Sequence, residues 1–164
     1  MILAGALLLI WLAFNWLAPL ATLSTAEPMS LGRIPEQFVP LAAKLRARFY
    51  VSRLYRGPGF SAWVWPQHII VLDRGFLSGL TPEHVRFVLG HELGHVALGH
   101  LRTRWLLVVT GLIALPPARR RLVAHEHEAD AYAERLTGFK REFFDAPRGG
   151  GNANGIESAV VYRR

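Results

Sequence analysis

Cysteine is absent from the 164-residue chain, so there is no disulfide framework to read, a composition that fits a cytoplasmic setting among others. Methionine occurs only at Met1 and Met29, and no histidine follows His127. Acid is scarce: 12 Asp and Glu stand against 19 Lys and Arg, a formal charge of +7. Such a balance raises nucleic acid as a partner, but the arginines are spread along the chain and no recognised nucleic-acid motif accompanies them, so none is expected. No internal repeat is present. The first 23 residues, Met1 to Leu23, carry no charged side chain at all.

What the chain does contain is His91-Glu92-Leu93-Gly94-His95. A helix brings residues four apart onto one face, so both imidazoles aim at one point. Zinc takes neutral imidazole nitrogen, and a catalytic zinc has three protein ligands and an exchangeable water. Glu92 sits about a hundred degrees round the helix from His91, where its carboxylate can reach that water without ligating the metal. The helix start is marked by Thr81 as N-cap, Pro82 at the first position and Glu83 in the first turn. Val85, Val88, Leu89, Val96 and Leu98 give it an apolar surface, so a buried helix is expected.

A third ligand decides the kind of site. The metzincin pattern needs glycine and histidine three and six residues after His95, where Leu98 and Leu101 stand, and no methionine lies downstream for a Met-turn. The better candidate is Glu126, in a second helical stretch from about Ala118 to Leu136 that follows Pro116-Pro117 and ends at Gly138. Asp130, one turn later, is placed to accept a hydrogen bond from a ligand imidazole. Ala129 and Ala133 allow the two helices to approach closely.

HELGH followed by His100, then Glu-x-x-Ala-Asp-x-x-Ala from Glu126 to Ala133, resembles the M48 family of gluzincin metallopeptidases, which includes membrane proteases of the HtpX type. Upstream, Ile69-Ile70-Val71-Leu72, Gly75-Phe76-Leu77, Leu80-Thr81-Pro82-Glu83 and Val88-Leu89 are similar to that family's strand, turn and run into the active-site helix. The similarity covers roughly Phe60 to Gly138. It implies one Zn2+ per chain on His91, His95 and Glu126, Glu92 as general base, and Asp130 as the carboxylate behind a ligand histidine. On this reading His127 and Glu128 are bystanders, and His68, His84, His100 and His125 are ordinary surface or cap residues.

The chain departs from the family pattern twice. Where the family has an Asn-Ala pair opening the strand that lines the substrate cleft, this chain has Ser61-Ala62, followed by Trp63. There is also no downstream histidine to steady the tetrahedral intermediate, leaving Arg135, Arg141 or Tyr132 as substitutes. Two alternatives stay open: an ImmA/IrrE-like regulatory protease, which shares the HELGH helix and has Val85-Arg86-Phe87 in its style, and a non-catalytic zinc-containing regulatory module.

The N-terminal run is long enough to span hydrocarbon, and it separates the membrane-anchored reading from the soluble regulatory one. Ser24-Thr25-Ala26 are small enough for signal cleavage, but a signal peptide carries a basic n-region and this run has none, so a single-pass anchor is expected. Arg33, Lys44, Arg46 and Arg48 follow it and put the catalytic part on the cytoplasmic side. A second apolar run, Trp105 to Leu115, cannot be a simple crossing, because that would part Glu126 from the two histidines. It is expected to be buried or interfacial, with Arg102, Arg104, Arg119, Arg120 and Arg121 against anionic headgroups.

The remainder reads as support: a helix over Pro35 to Tyr50, and strands at Val51 to Tyr55, Phe60 to Trp65 and His68 to Leu72. An edge strand carrying Ser61, Ala62 and Trp63 can hold an extended peptide. The fold class is therefore α+β, a zincin-like domain with a small sheet and two metal-binding helices behind a transmembrane helix. The expected organisation is an anchor over residues 1–26, one metallopeptidase domain over 27–145 and a Gly/Asn-rich tail over 146–164. The expected partners are a peptide or protein substrate and the lipid membrane.

Overall fold

A computed structural model of the chain describes residues 23–30, 33–53, 60–64 and 67–141. The N-terminal anchor and the C-terminal tail expected from the sequence lie outside the described residues. Among the described residues no helix is long and apolar enough to cross a membrane.

The fold is α+β. Strand β1 (Ala26–Pro28) pairs antiparallel with β2 (Ala47–Ser52), β2 runs parallel to β4 (Gln67–Asp73), and β4 pairs antiparallel with β3 (Phe60–Val64). The sheet order is β1-β2-β4-β3, which leaves β3 on an edge. Ser61, Ala62 and Trp63 lie on that edge, opposite Ile70, Ile69 and His68. Burial alternates along β2, with Phe49 and Val51 buried and Arg48 exposed, as a strand with one face on a core requires.

The single helix expected over Pro35 to Tyr50 is instead a 3-10 turn (Glu36–Phe38), helix α1 (Val39–Lys44) and then β2. The break falls at Arg46, whose φ of 51° is left-handed and cannot continue a helix. His68 holds this turn: its Nδ1 lies 2.9 Å from the Leu45 carbonyl oxygen and its backbone N–H donates to Arg46. Phe38, Leu41, Ala42 and Leu45 match a helical period, whereas Arg48 to Val51 have the period of two that the sheet exploits.

After β4, Asp73 accepts from the Gly75 N–H and starts the short helix α2 (Arg74–Ser78). Helix α3 (Pro82–Ala97) begins as the sequence indicates, with Thr81 accepting from the His84 N–H. Phe49, Val51, Ile70 and Leu72 from the sheet pack with Leu89, Leu93 and Val96 from α3 and with Phe38 beneath. Leu98 does not join them. It follows the end of α3, beside Gly99 with φ 71°, and is 42% exposed. Helix α4 (His100–Val109), a 3-10 turn (Leu112–Ala114) and the long helix α5 (Pro116–Thr137) complete the fold. Two prolines open α5 and Gly138, left-handed at φ 77°, closes it, the usual asymmetry of helix ends.

Candidate metal centre

Helices α3 and α5 pack against each other at close range, and glycine makes this possible. A Cβ built on Gly94 would lie 3.2 Å from the Cα and carbonyl oxygen of Ala129, and one on Gly90 would lie 3.4 Å from Ala133. Ala129 and Ala133 are fully buried, as their small size anticipated. Their partners Gly90 and Gly94 were legible too, since small residues one turn apart on each of two helices are the signature of close approach.

Over this contact His91 and His95 of α3 meet Glu126 of α5. Their Nε2 atoms are 3.0 Å apart, and Glu126 Oε2 lies 3.3 Å from His91 Nε2 and 3.5 Å from His95 Nε2. Four tetrahedral ligands at zinc distances of about 2.0–2.1 Å lie about 3.3–3.4 Å from one another. Two imidazoles and a carboxylate at these separations fit a zinc ion, and these are the described residues that form a three-donor cluster able to hold a metal. Glu92, between the histidines in sequence, is buried at 6% exposure.

The other nitrogen of each histidine is also held, and by different chemistry. His91 Nδ1 is 2.8 Å from Asp130 Oδ1, and the second oxygen of Asp130 is ion-paired to Arg141. Arg141, a candidate for steadying the reaction intermediate, therefore sits behind His91, while Arg135 lies 6.0 Å from the Tyr132 ring centroid. His95 Nδ1 is 3.0 Å from His100 Nδ1, and His100 Nε2 is 3.0 Å from Glu128 Oε2. His125 stacks on His100 with centroids 4.0 Å apart. The roles of ordinary histidine for His100 and His125, and of bystander for Glu128, are thus corrected. A signal existed: His125 and Glu128 are three apart and so share a face of the helix that carries Glu126.

Electrostatics follow this geometry. Burial alone would push His91 down, but hydrogen bonds to Asp130 and Glu126, with Glu92 nearby, outweigh it and raise the imidazole to about 9. Burial opposes ionisation of Glu126 and Asp130 as well, yet the histidines beside them hold both carboxyls below the usual range. His100 and His125 are pushed down, first by burial, so both are neutral near pH 7. The protons are then assigned. With Nε2 of His95 kept as an acceptor, its Nδ1–H donates to His100, and the Nε2–H of His100 donates to Glu128.

The family model of Peptidase family M48 matches residues 31–120. No curated protein matches the chain. The family match spans more than half of the chain, which therefore belongs to peptidase family M48.

Proposed function

We propose, on the premise of membership in peptidase family M48, that the chain is a zinc-dependent endopeptidase anchored in a membrane. The observation that carries this reading is the His91–His95–Glu126 triangle, whose donor separations suit one zinc ion with a position left for water. When bound there, zinc supplies Lewis acidity and lowers the pKa of water. Glu92 is the general base: it takes a proton from the attacking water and returns it to the leaving amine. Asp130 and His100 are positioning residues. Each accepts a hydrogen bond from the outward N–H of one ligand histidine and so keeps the inward nitrogen free to ligate. The edge strand β3 lies against α3 and, among the described residues, pairs with a strand on one side only, leaving its other side for an extended substrate. The uncharged run Met1–Leu23 and the basic residues Arg33, Lys44, Arg46 and Arg48 that follow it support a single-pass anchor and a cytoplasmic catalytic domain.

The test is zinc content and casein cleavage for the detergent-purified protein and for Glu92→Gln. About one equivalent of zinc is expected in both, with cleavage falling by roughly 10²–10⁴-fold in the variant. Zinc without cleavage in either would favour a regulatory module, since a structural site has no use for Glu92. Absence of bound zinc would remove the site assignment.

A further inference from the structure

The connection between the two metal-binding helices has an outer face unlike the rest of the described surface. Leu98, Trp105, Leu106, Leu112, Leu115 and Val123 are each at least 42% exposed, and the one other exposed large apolar side chain among the described residues is Val39, at 38%. Between Glu92 and Glu126 the chain has no acidic residue, yet it carries Arg102, Arg104, Arg119, Arg120 and Arg121, all of them exposed. Within α4, Arg102, Trp105 and Leu106 share one face by their spacing, while His100 and Leu101 at its start are buried. The connection is thus seated from inside and apolar and basic outside.

From this we infer that the α4–α5 connection is a docking surface for an anionic lipid bilayer, with α4 lying in the headgroup layer. Ten residues are too few to cross hydrocarbon, which takes about 20. A short helix with Trp and Leu among arginines is what an interfacial helix requires. Charge complementarity selects the occupant: a second copy would bring the same arginines against themselves, whereas anionic headgroups neutralise them. Helix α4 follows His95 after one short turn and contacts the edge strand β3. Docking therefore holds the cleft edge at the membrane surface and, given the peptidase reading, selects polypeptide segments exposed there.

The cysteine-free chain allows a direct test with single cysteines placed by Leu106→Cys and, as the control, Val39→Cys, each carrying an environment-sensitive fluorophore. The full chain is reconstituted into phosphatidylcholine vesicles with or without phosphatidylglycerol. The label at 106 is expected to shift to the blue and to be quenched by doxyl lipid in the anionic vesicles, while the label at 39 stays open to iodide. Replacing Arg119, Arg120 and Arg121 by Gln is expected to weaken insertion about five-fold per arginine. A label at 106 open to iodide in both vesicles overturns the inference. So does one shielded before vesicles are added, in proportion to protein concentration, which would indicate a second copy. Zinc content of the same samples separates the two readings: lost insertion with retained zinc counts against docking alone, and lost zinc with retained insertion counts against the peptidase site alone.

Discussion

His91 and His95 are one turn apart on the same helix, but the two sides of the metal centre are built differently. On the His91 side a carboxylate, Asp130, takes the outward nitrogen directly and is itself ion-paired to Arg141. On the His95 side a neutral histidine, His100, stands between the ligand and a half-exposed carboxylate, Glu128. A charge held against an imidazole raises its affinity for protons and for metal alike, whereas a neutral acceptor mainly fixes the tautomer. The His91 side is accordingly the one that feels pH, and the His95 side is the one that sets orientation.

The largest effect is expected from Asp130→Ala. It removes the partner of His91 and leaves Arg141 without its carboxylate. Loss of such a supporting group lowers metal affinity by about 10–100-fold, and breaking a largely buried ion pair destabilises the fold by about 2–3 kcal/mol once the partial exposure of Arg141 is allowed for. Competitive zinc titration and denaturant unfolding of the metal-free protein measure the two separately. An affinity unchanged within about twofold would show that Asp130 does not support the ligand.

The pH dependence comes next. His91 has a folded value of about 9, above its ordinary 6.5. In the metal-free protein its stabilising contribution is therefore complete below about pH 6.5 and is lost as pH rises through about 9. Zinc must displace that proton, so its affinity is expected to rise up to tenfold per pH unit across the same window. Both are the same proton linkage, seen in one observable. The difference in melting temperature between zinc-loaded and chelator-treated protein should widen from pH 6.5 to 9, and Asp130→Ala should flatten the trend. A difference independent of pH would contradict the assignment of the proton to His91.

A smaller effect is expected on the other side. His100→Phe keeps the ring stacked on His125 and removes the acceptor for His95, so zinc affinity should fall about tenfold, the lower end for such groups. His100→Asn places an oxygen near the position of Nδ1 and should restore much of the loss. If Phe and Asn behave alike, His100 is packing and not a positioning residue. The absorption spectrum of a cobalt-substituted protein provides a readout independent of cleavage.

Much of this site was legible in the sequence because helical periodicity is local. His91 and His95, and Glu126 and Asp130, are each four apart, and the caps at Thr81 and Gly138 are set by nearby residues. What was not legible depends on long-range contact. The first four residues of the strand Ala47–Ser52, up to Tyr50, read as helix until β1 and β4 pair with the strand on both sides. His100 reads as a cap residue until α5 brings Glu128 and His125 to it across the connection. Arg141 reads as a candidate for steadying the reaction intermediate until Gly138 turns the chain back and pairs it with Asp130. In each case the sequence specified the residue and the packing specified its partner.

The smallest effects concern how closely the two helices meet, and they differ between the same two sides, since Gly90 precedes His91 and Gly94 precedes His95. Glycine within a helix costs about 0.5–1 kcal/mol relative to alanine. At Gly90 the added Cβ meets Ala133 and Thr137 at 3.4 Å, an ordinary contact, so Gly90→Ala should be neutral or slightly stabilising. At Gly94 the same atom meets the Ala129 backbone at 3.2 Å, and that backbone cannot yield without moving α5. Overpacking of about 1–3 kcal/mol then exceeds the helical gain, and Gly94→Ala should destabilise by about 1 kcal/mol. It should also weaken zinc binding, because Glu126 and Asp130 flank Ala129 on the helix that is pushed away. Urea midpoints and zinc titrations on the two variants test this. Equal behaviour of the two alanines would mean that the helices separate freely, and that the ligand geometry is set by the metal and not by the glycines.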